Sequence, residues 1–195
     1  MVLVIDTSSP VAALALVRDG EAVAEHVAPG GREHDLPGRV LAMVEPRRLS
    51  AVAVAVGPGS FTGLRVGVSY GLGLAMGLDV PLLGFGSLDL QRARAAVPAT
   101  PLVEAGRGRV YWASPDGERR LGEPGELPRD LPAVGWLRPE TAVSVRAAGV
   151  RLLEGAELVK FGTAAASTVA AAQQLDYGTV KLEYMGYFPV RVQAG

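Results

Sequence analysis

The part of the sequence best suited to bind a ligand is a glycine-rich turn between two apolar segments. An apolar run at Ala51–Val56 leads into Gly57-Pro58-Gly59-Ser60-Phe61-Thr62-Gly63, and a long apolar helix is predicted to follow. Backbone N–H groups at such a strand-to-helix turn can hold an anion. The candidates for anion or nucleotide binding are Gly57, Gly59, Ser60, Thr62, Arg65 and, at the end of the first predicted strand, Asp6.

A purely conformational role for this turn is the alternative. It lacks the Lys-Ser/Thr pair that ends a P-loop, and its glycines do not have the Gly-x-Gly-x-x-Gly spacing. We expect Thr62 to cap the helix, with Phe61 and Val66 in contact as a hydrophobic staple. Arg65 would then lie in the first turn, where a cation opposes the helix dipole. It therefore either pairs with a carboxylate or phosphate or projects into water.

Residue types for nucleophilic or metal chemistry are scarce. The chain contains no cysteine and only two histidines, His26 and His34, which do not form a His-x-x-x-His pair. Thiolate and imidazole zinc sites are therefore not expected. Ser60 and Thr62 carry hydroxyl groups, but no histidine and acid can be assigned to activate either one. We predict no catalytic residue and no metal ligand in this chain.

Length, charge and hydrophobic content limit the class of protein. The 195 residues, 49% hydrophobic and 20% charged, suffice for a sizeable core. Lys and Arg number 19 against 20 Asp and Glu, so charge alone indicates no nucleic-acid surface. The longest uncharged run has 13 residues, fewer than the roughly 20 that span a bilayer. Because the first nine residues include no basic one, we expect no signal peptide and a cytoplasmic location.

The order of the predicted strands and helices indicates an α/β fold. A strand, a β-hairpin and then alternating helices and strands are typical of a mixed sheet with crossover helices. In the first half we predict strand Val2–Ile5, hairpin Val11–Val17 and Glu21–Val27, helix Glu33–Val44, strand Ala51–Val56, helix Thr62–Gly77, strand Val80–Phe85 and helix Ser87–Ala96. In the second half we predict strands Pro101–Glu104 and Arg109–Ser114, an irregular segment Gly122–Pro139, weaker strands Val143–Val145 and Leu158–Phe161, and helix Thr163–Leu175.

The predicted helix Thr62–Gly77 carries a small residue at every fourth position, at Gly63, Gly67, Gly71 and Ala75. A glycine inside a helix costs about 1 kcal/mol relative to alanine, so close packing must offset it. The rest of the helix surface is apolar nearly all round, and such a helix needs cover on every side. We expect one face to lie on the sheet. The other face needs a second helix of this chain, a second domain or another protein.

Several of these motifs resemble the TsaB (YeaZ) family. The resemblance rests on Ile5-Asp6-Thr7-Ser8 after the first strand, on the stretch from Gly57 to Gly67, and on Gly73-Leu74-Ala75. Further matching positions are Val80-Pro81 with Ser87-Leu88, Gly108-Arg109-Val110-Tyr111, and Pro189-Val190-Arg191. The resemblance covers the first 112 residues well. Where the family usually has Asp-Ala-Arg, this chain has Glu104-Ala105-Gly106, so an arginine is lost there.

The resemblance implies an actin-like ATPase fold (ASKHA, RNase H-like) with two lobes, which we place at residues 1–98 and 99–195. It also implies an accessory subunit rather than an enzyme. TsaB-like proteins bind the homologous catalytic subunit TsaD. With TsaE they support transfer of threonylcarbamoyl to N6 of the adenosine next to the anticodon of tRNAs that read ANN codons. The resemblance further implies that the complex uses ATP and that this chain contacts tRNA only as part of the complex. The isolated chain could form a homodimer.

In the family the two N-terminal-lobe helices pair with the same helices of the partner. With the glycine stripe, this predicts an interface on helices Glu33–Val44 and Thr62–Gly77, formed by Leu36, Val40, Leu41, Gly63, Leu64, Gly67, Val68, Gly71, Leu74 and Ala75. Gly67→Leu or Gly71→Leu is then expected to abolish complex formation and leave the monomer folded. The competing hypothesis is a small actin-fold ATPase or kinase that acts alone through the glycine loop and Asp6, which stands where that fold places a metal-phosphate aspartate.

Overall fold

The structure, a computed structural model, describes residues 1–30 and 35–183. The strands are β1 (Val2–Asp6), β2 (Val11–Arg18), β3 (Glu21–Pro29), β4 (Ala51–Gly57), β5 (Leu82–Gly86), β6 (Thr100–Gly106), β7 (Arg109–Ala113), β8 (Arg119–Gly122), β9 (Ala133–Val134) and β10 (Gln173–Leu175). The helices are α1 (Leu36–Met43), α2 (Phe61–Leu78), α3 (Ser87–Ala93), α4 (Pro139–Ala147) and α5 (Phe161–Ala170). Single 3-10 turns lie at Pro46–Arg48, Pro124–Glu126 and Gly155–Glu157.

Two mixed sheets form the framework of the described residues. The first has six strands in the order β10-β5-β4-β1-β2-β3, and the second has four in the order β8-β7-β6-β9. In the first sheet β1, β4 and β5 run parallel, whereas β2 and β3 form the antiparallel hairpin that the sequence predicts. The parallel strands are joined by crossover helices, as expected for an α/β fold.

Helices cover both faces of the first sheet, because its central strands are apolar on both sides. Side chains of a strand point alternately to opposite faces. Leu3 and Ile5 therefore contact the core beneath α1 and α2. Val4, between them, contacts the core beneath α3 and α5. The same alternation continues at the end of β1 and decides where Asp6 and Thr7 point.

The second sheet has a smaller core of its own. Its main buried members are Leu102 on β6, Val110 and Trp112 on β7, and Val145 on α4. The predicted strand at Val143–Val145 is wrong, since these residues lie within α4. This helix begins at Pro139, and a proline at the first helical position costs no hydrogen bond. The short alternating pattern was compatible with a strand, but burial of Thr141 and Val145 on one side selects the helix.

The C-terminal part of the described chain returns to the first sheet. The helix predicted over Thr163–Leu175 ends at Ala170, and Gln173–Leu175 instead pairs antiparallel with β5. Leu158 makes only an isolated bridge to Ala95, not a strand. Helix α5 packs against β2 and β3.

The predicted division into lobes at residues 1–98 and 99–195 stays a prediction. The second sheet is built from residues 100–134, but α5 and β10 belong to the layers of the first sheet. Strand β10 pairs with the edge of β5, and α5 packs on the hairpin of β2 and β3. Such long-range contacts are not evident from the order of residues in the sequence. Two sequence features, His34 at the predicted start of the first helix and Pro189-Val190-Arg191, lie outside the described residues.

Candidate functional site

The glycine loop that precedes α2 is held tightly against the β1–β2 turn. The Ser60 N–H donates a 2.7 Å hydrogen bond to the carbonyl oxygen of Ser8. A Cβ atom at Gly59 would lie 2.5 Å from that same oxygen, so only glycine fits there. Gly57 has φ +122°, and a Cβ there would lie 2.6 Å from the carbonyl oxygen of Glu183. These glycines therefore serve close backbone approach.

Ser60, not Thr62, caps α2. The Ser60 hydroxyl oxygen accepts a 3.2 Å hydrogen bond from the Gly63 N–H, so the helix begins two residues earlier than the predicted cap allows. Phe61 is then the first helical residue, and the predicted staple with Val66 does not apply. Among the residues that the structure describes, Arg65 has no carboxylate partner, and its side chain is exposed, as the second of the two expectations has it. Its guanidinium lies 3.8 Å from the ring centroid of Phe61, which is a cation–π contact.

The anion candidates do not converge on one site. Ser60 and Thr62 border a cavity of about 430 Å³. It lies between the β1–β2 turn, the start of α2 and Arg138, the residue that precedes α4. Gly57, Gly59, Arg65 and Asp6 are not part of its lining. Arg138 donates to the carboxylate of Glu104 at 3.0 Å. The hydroxyl side chains of Ser60 and Thr62 therefore border the cavity, whereas Gly57 and Gly59 lie against protein backbone.

Asp6 points away from that cavity, into the layer beneath α3. Its carboxyl group is 0% exposed, and one oxygen accepts a 2.8 Å hydrogen bond from the Ser8 N–H. The other oxygen, Oδ2, has no hydrogen-bond partner among the described residues. Burial raises the pKa of Asp6, and the hydrogen bonds from Ser8 and the charge of Arg94 only partly oppose this. The carboxylate is therefore closed off from solvent.

Most of the predicted interface residues are buried within the chain itself. The stripe Gly63, Gly67, Gly71 and Ala75 faces the first sheet. A Cβ at Gly67 would meet Thr7 Oγ1, and one at Gly71 would meet Val54 Cγ1. Buried as well are Leu36, Val40, Leu64 and Val68. The prediction that Gly67→Leu or Gly71→Leu leaves the monomer folded is therefore wrong, because either side chain would displace strand residues.

The opposite face of α2 is open. It carries Thr62, Val66, Ser69, Gly73, Met76 and Gly77. Among the described residues, no atom outside the helix's own backbone lies within 4 Å of a Cβ placed on Gly73 or Gly77. Val66 is 48% exposed and Met76 is 56% exposed, so this face is largely apolar and has small residues in its second half. We call these six residues the open face of α2.

Helix α1 lies beside α2 in the same layer. The carboxylate of Asp35, which caps α1, adds to the effect of burial in raising the pKa of Tyr70 on α2. Leu41 on α1 is 64% exposed and Leu74 on α2 is half-buried, so of the ten predicted interface residues these two and the half-buried Gly63 remain partly accessible.

The four-residue spacing of Ser69, Gly73 and Gly77 was a sequence signal for the open face of α2. The longer stripe that begins at Gly63 drew the prediction to the other face.

Glu104, the residue that stands in the family's Asp-Ala-Arg position, has a structural role. It is buried and accepts hydrogen bonds from the Arg138 backbone N–H at 2.7 Å and the Thr141 hydroxyl at 3.1 Å. It thereby holds the first turn of α4 against β6. Within residues 1–30 and 35–183, no group of three or more His, Asp or Glu side chains could hold a metal ion. None of the described helices is long and apolar enough to span a membrane.

Comparisons with known proteins agree with the motifs. A family model described as TsaD, tRNA N6-adenosine threonylcarbamoyltransferase, matches residues 41–126. The tRNA threonylcarbamoyladenosine biosynthesis protein TsaB of Escherichia coli (strain K12) is 34% identical over 126 residues, 57% of this chain and 53% of that protein. TsaB of Bacillus subtilis (strain 168) is 34% identical over 122 residues, 56% of this chain and 52% of that protein. The chain thus spans about half the length of the curated relatives it matches.

The fold has a close counterpart among solved structures. YeaZ from Pseudomonas aeruginosa superposes with a TM-score of 0.67 at 21% identity, over 94% of this chain and 99% of that one. Two lobes of mixed sheets flanked by helices define an actin-like α/β fold of the RNase H-like type, which confirms the predicted fold class. Its sequence motifs and its curated relatives at 34% identity make the chain similar to the TsaB (YeaZ) family.

Proposed function

We propose that this protein is a non-catalytic subunit in the synthesis of threonylcarbamoyladenosine in tRNA. In this proposal it binds a homologous TsaD-type subunit through the open face of α2 and the exposed side of α1. TsaD would carry out the transfer of threonylcarbamoyl to N6 of the adenosine beside the anticodon of tRNAs reading ANN codons. TsaE would join the larger complex, and ATP would be used by the complex. The curated relatives at 34% identity are named for this biosynthesis, which supports the assignment.

The observation that carries the proposal is the pair of open glycines in α2. Gly73 and Gly77 lie in the helix with no other side chain or strand near their Cβ positions. Because each such glycine costs about 1 kcal/mol relative to alanine, its presence needs a reason that the described chain does not provide. Close approach of a partner helix is such a reason, since small residues let two helix backbones come together. The flanking Val66 and Met76 supply apolar area for the contact.

The assignment of a non-catalytic role rests on how the polar side chains of the loop are used. The Ser60 hydroxyl oxygen accepts a hydrogen bond at the start of α2. Asp6 is sealed beneath α3 and faces neither the cavity at the loop nor solvent. A peptidase nucleophile would need a base next to a reachable hydroxyl, and the sequence offers none that can be assigned. A homologous partner would then supply the chemistry.

Binding of purified TsaD by this chain tests the proposal directly. We expect Leu41→Glu on α1 and Gly73→Leu on α2 each to weaken binding at least about 100-fold, because each puts a bulky or charged group into a close helix contact. Calorimetry gives the affinity, and modification of an ANN-reading tRNA by TsaD and TsaE gives the activity. Neither variant should lower the unfolding midpoint.

Val143→Glu is the matched control for Leu41→Glu. Val143 lies on α4 in the second lobe and is 64% exposed, the same fraction as Leu41. It should leave binding and tRNA modification unchanged. Unaltered TsaD affinity in both Leu41→Glu and Gly73→Leu would refute the proposed surface. No dependence of tRNA modification on this chain would refute the role itself. Size-exclusion mass measurement of the same variants tests whether the isolated chain pairs with itself through this face.

The alternative of an independent ATPase or kinase keeps one supporting observation, the cavity of about 430 Å³ at Ser60 and Thr62. Burial of Asp6 counts against it, because a metal-phosphate aspartate must reach its ligand. ATP hydrolysis by the chain alone, abolished in Asp6→Ala, would favour this alternative.

A further inference from the structure

Two chain segments connect the lobe built on the first sheet, called the first lobe, with the lobe built on the second sheet, called the second lobe. These two segments are hydrogen-bonded to each other. Residues 94–99 leave α3 for the second sheet, and residues 157–160 return to α5. The Val159 N–H donates to the Arg94 carbonyl oxygen at 2.8 Å, and the Ala96 N–H donates to the Glu157 carbonyl oxygen at 2.9 Å. Ala95 and Leu158 form an antiparallel bridge between them. We call residues 94–96 and 157–159 the crossing ribbon; any change in the angle between the lobes must bend it.

The side chain of Arg94 joins groups from both lobes at one end of this ribbon. Arg94 is only 6% exposed, and its guanidinium donates a 2.6 Å hydrogen bond to Gln91 Oε1 on α3. The guanidinium also lies 3.8 Å from the ring centroid of Trp136. Trp136 follows β9 in the second lobe, yet it packs against the core of the first sheet. Its ring centroid lies 5.8 Å from that of Phe161, the first residue of α5.

Arg94 is charged at neutral pH, as a cation–π contact requires. Burial lowers the pKa of Arg94 to about 10, and the charge of Asp6 opposes that shift. The stacked guanidinium therefore places a positive charge between an aromatic ring of the second lobe and a buried carboxyl group of the first. A desolvated cation–π contact of this kind is stronger than an exposed one.

Polar atoms without partners lie on the elements that Arg94 covers. Within residues 1–30 and 35–183, the unpartnered buried atoms include Asp6 Oδ2, Ser8 Oγ, Ser87 Oγ, Gln91 Nε2 and Arg94 Nε. They come from the end of β1, from the turn that follows it, and from α3. Hydrogen-bonding groups of this kind are stable only where the surroundings hold them in place or water reaches them. Their access to bulk solvent therefore depends on how closely the surrounding elements stay packed.

We propose that the stack of Arg94 on Trp136 is a latch between the two lobes, which fixes their angle at the crossing ribbon and seals Asp6 and its polar neighbours from solvent. Loss of the stack frees Trp136 from the core of the first sheet, loosens the crossing ribbon and lets water reach the polar atoms. This inference is independent of partner binding, because every contact in it lies within the chain and on the face of the sheet opposite α2.

Arg94→Gln tests the latch, with Arg92→Gln on the exposed side of the same helix as the control. Fluorine NMR of protein labelled with 5-fluorotryptophan gives one signal each for Trp112 and Trp136, and Trp136→Phe assigns them. Trp136 is already partly exposed, so its solvent isotope shift should increase in Arg94→Gln, whereas that of the buried Trp112 should not change. Hydrogen exchange at Ala96 and Val159 should become at least about tenfold faster, with α2 and β1 unchanged. Arg92→Gln should match the wild type.

Arg94→Lys separates the stack from the charge. It keeps the cation but loses the planar group, so both the increase in Trp136 exposure and the exchange rate of the ribbon should lie between those of the wild type and Arg94→Gln. Unchanged Trp136 exposure in Arg94→Gln would overturn the proposal. So would an equal rise in exchange over all elements, since that indicates global destabilisation. If Arg94→Gln does not fold, Trp136→Leu gives the same exchange test, with the same ribbon-specific increase expected.

Discussion

The two faces of helix α2 use the same residue type for opposite purposes. Gly63, Gly67 and Gly71 face the first sheet, where a side chain would strike Thr7 or Val54. Gly73 and Gly77 face open space, where a side chain would meet nothing of the described chain. The first set is explained by packing inside the monomer, and the second is not. A glycine in a helix thus indicates close approach, but only the fold tells which neighbour approaches.

The strongest test of this difference places one side chain on each face, two residues apart. Gly71→Leu should lower the free energy of unfolding by about 3 kcal/mol or more, because the leucine would force Val54 and Val52 out of position. Gly73→Leu should change it by less than about 1 kcal/mol, since its position is open. Urea unfolding followed by circular dichroism measures both. Equal destabilisation would mean that the two faces are not distinct.

The next largest change in the free energy of unfolding is expected from a hydrogen bond on the sheet-facing side of α2. The Thr7 hydroxyl donates to the carbonyl oxygen of Gly63 at 2.7 Å. Thr7→Val keeps the shape but removes this second hydrogen bond of a carbonyl that also accepts one within α2, so the free energy of unfolding should fall by about 0.5–1.5 kcal/mol. Thr62→Val, on the open face of α2, is the control and should be close to neutral. A neutral Thr7→Val would show that the contact does not hold the helix.

Alanine on the open face should have a smaller effect, of opposite sign. Gly73→Ala should raise the free energy of unfolding of the isolated chain by up to about 1 kcal/mol, because alanine favours the helix and has room for its methyl group. Gly67→Ala should lower it, since the methyl group would meet Thr7 Oγ1. Thermal unfolding of both variants measures the difference. Destabilisation by Gly73→Ala would mean that the open face is already covered within the monomer.

The smallest effect concerns the opposite side of β1, where Asp6 faces α3 and its neighbour Thr7 contacts α2. An acid whose pKa is higher in the folded chain holds its proton more tightly there. The free energy of unfolding should therefore fall as pH rises from the ordinary value of 3.8 through the folded pKa of Asp6. Asp6→Asn should lack this fall, and the difference between the two proteins removes the effects of other groups. A difference independent of pH from about 4 upward would contradict the raised pKa.

The sequence predicted those parts of the fold that depend on local pattern. Apolar runs predicted β1, β2 and β3 to within two residues. In the structure the turn between β2 and β3 is formed by Asp19 and Gly20, which both have positive φ. The long apolar helix after the glycine loop was also correct. Val143–Val145 failed because three alternating residues suit a strand or one side of a helix. Gln173–Leu175 failed because its strand exists only through pairing with β5.

The candidate site divides in the same way. The residue types of the glycine loop and of α2 were evident from spacing, but their orientation was not. Ser60 was chosen as a ligand candidate and serves as the helix cap, while the predicted cap, Thr62, is exposed. Arg65 was expected either to pair with an anion or to project into water; it is exposed, and its guanidinium also stacks on the ring of Phe61. Each outcome depends on which neighbour lies within about 4 Å, and helical periodicity contains no such information.

The sequence by itself determined the α/β class, the resemblance to the TsaB (YeaZ) family and a long helix whose glycines require close approach by a neighbour. Those conclusions follow from residue order, because propensity, periodicity and motif spacing are local properties. Only the tertiary structure decided that Gly67 and Gly71 face the sheet, that Gly73 and Gly77 lie on the open face of α2, and that Asp6 is buried instead of lining a cavity. The physical reason is that burial and contact are relations between distant segments, and they exist only once the chain has packed.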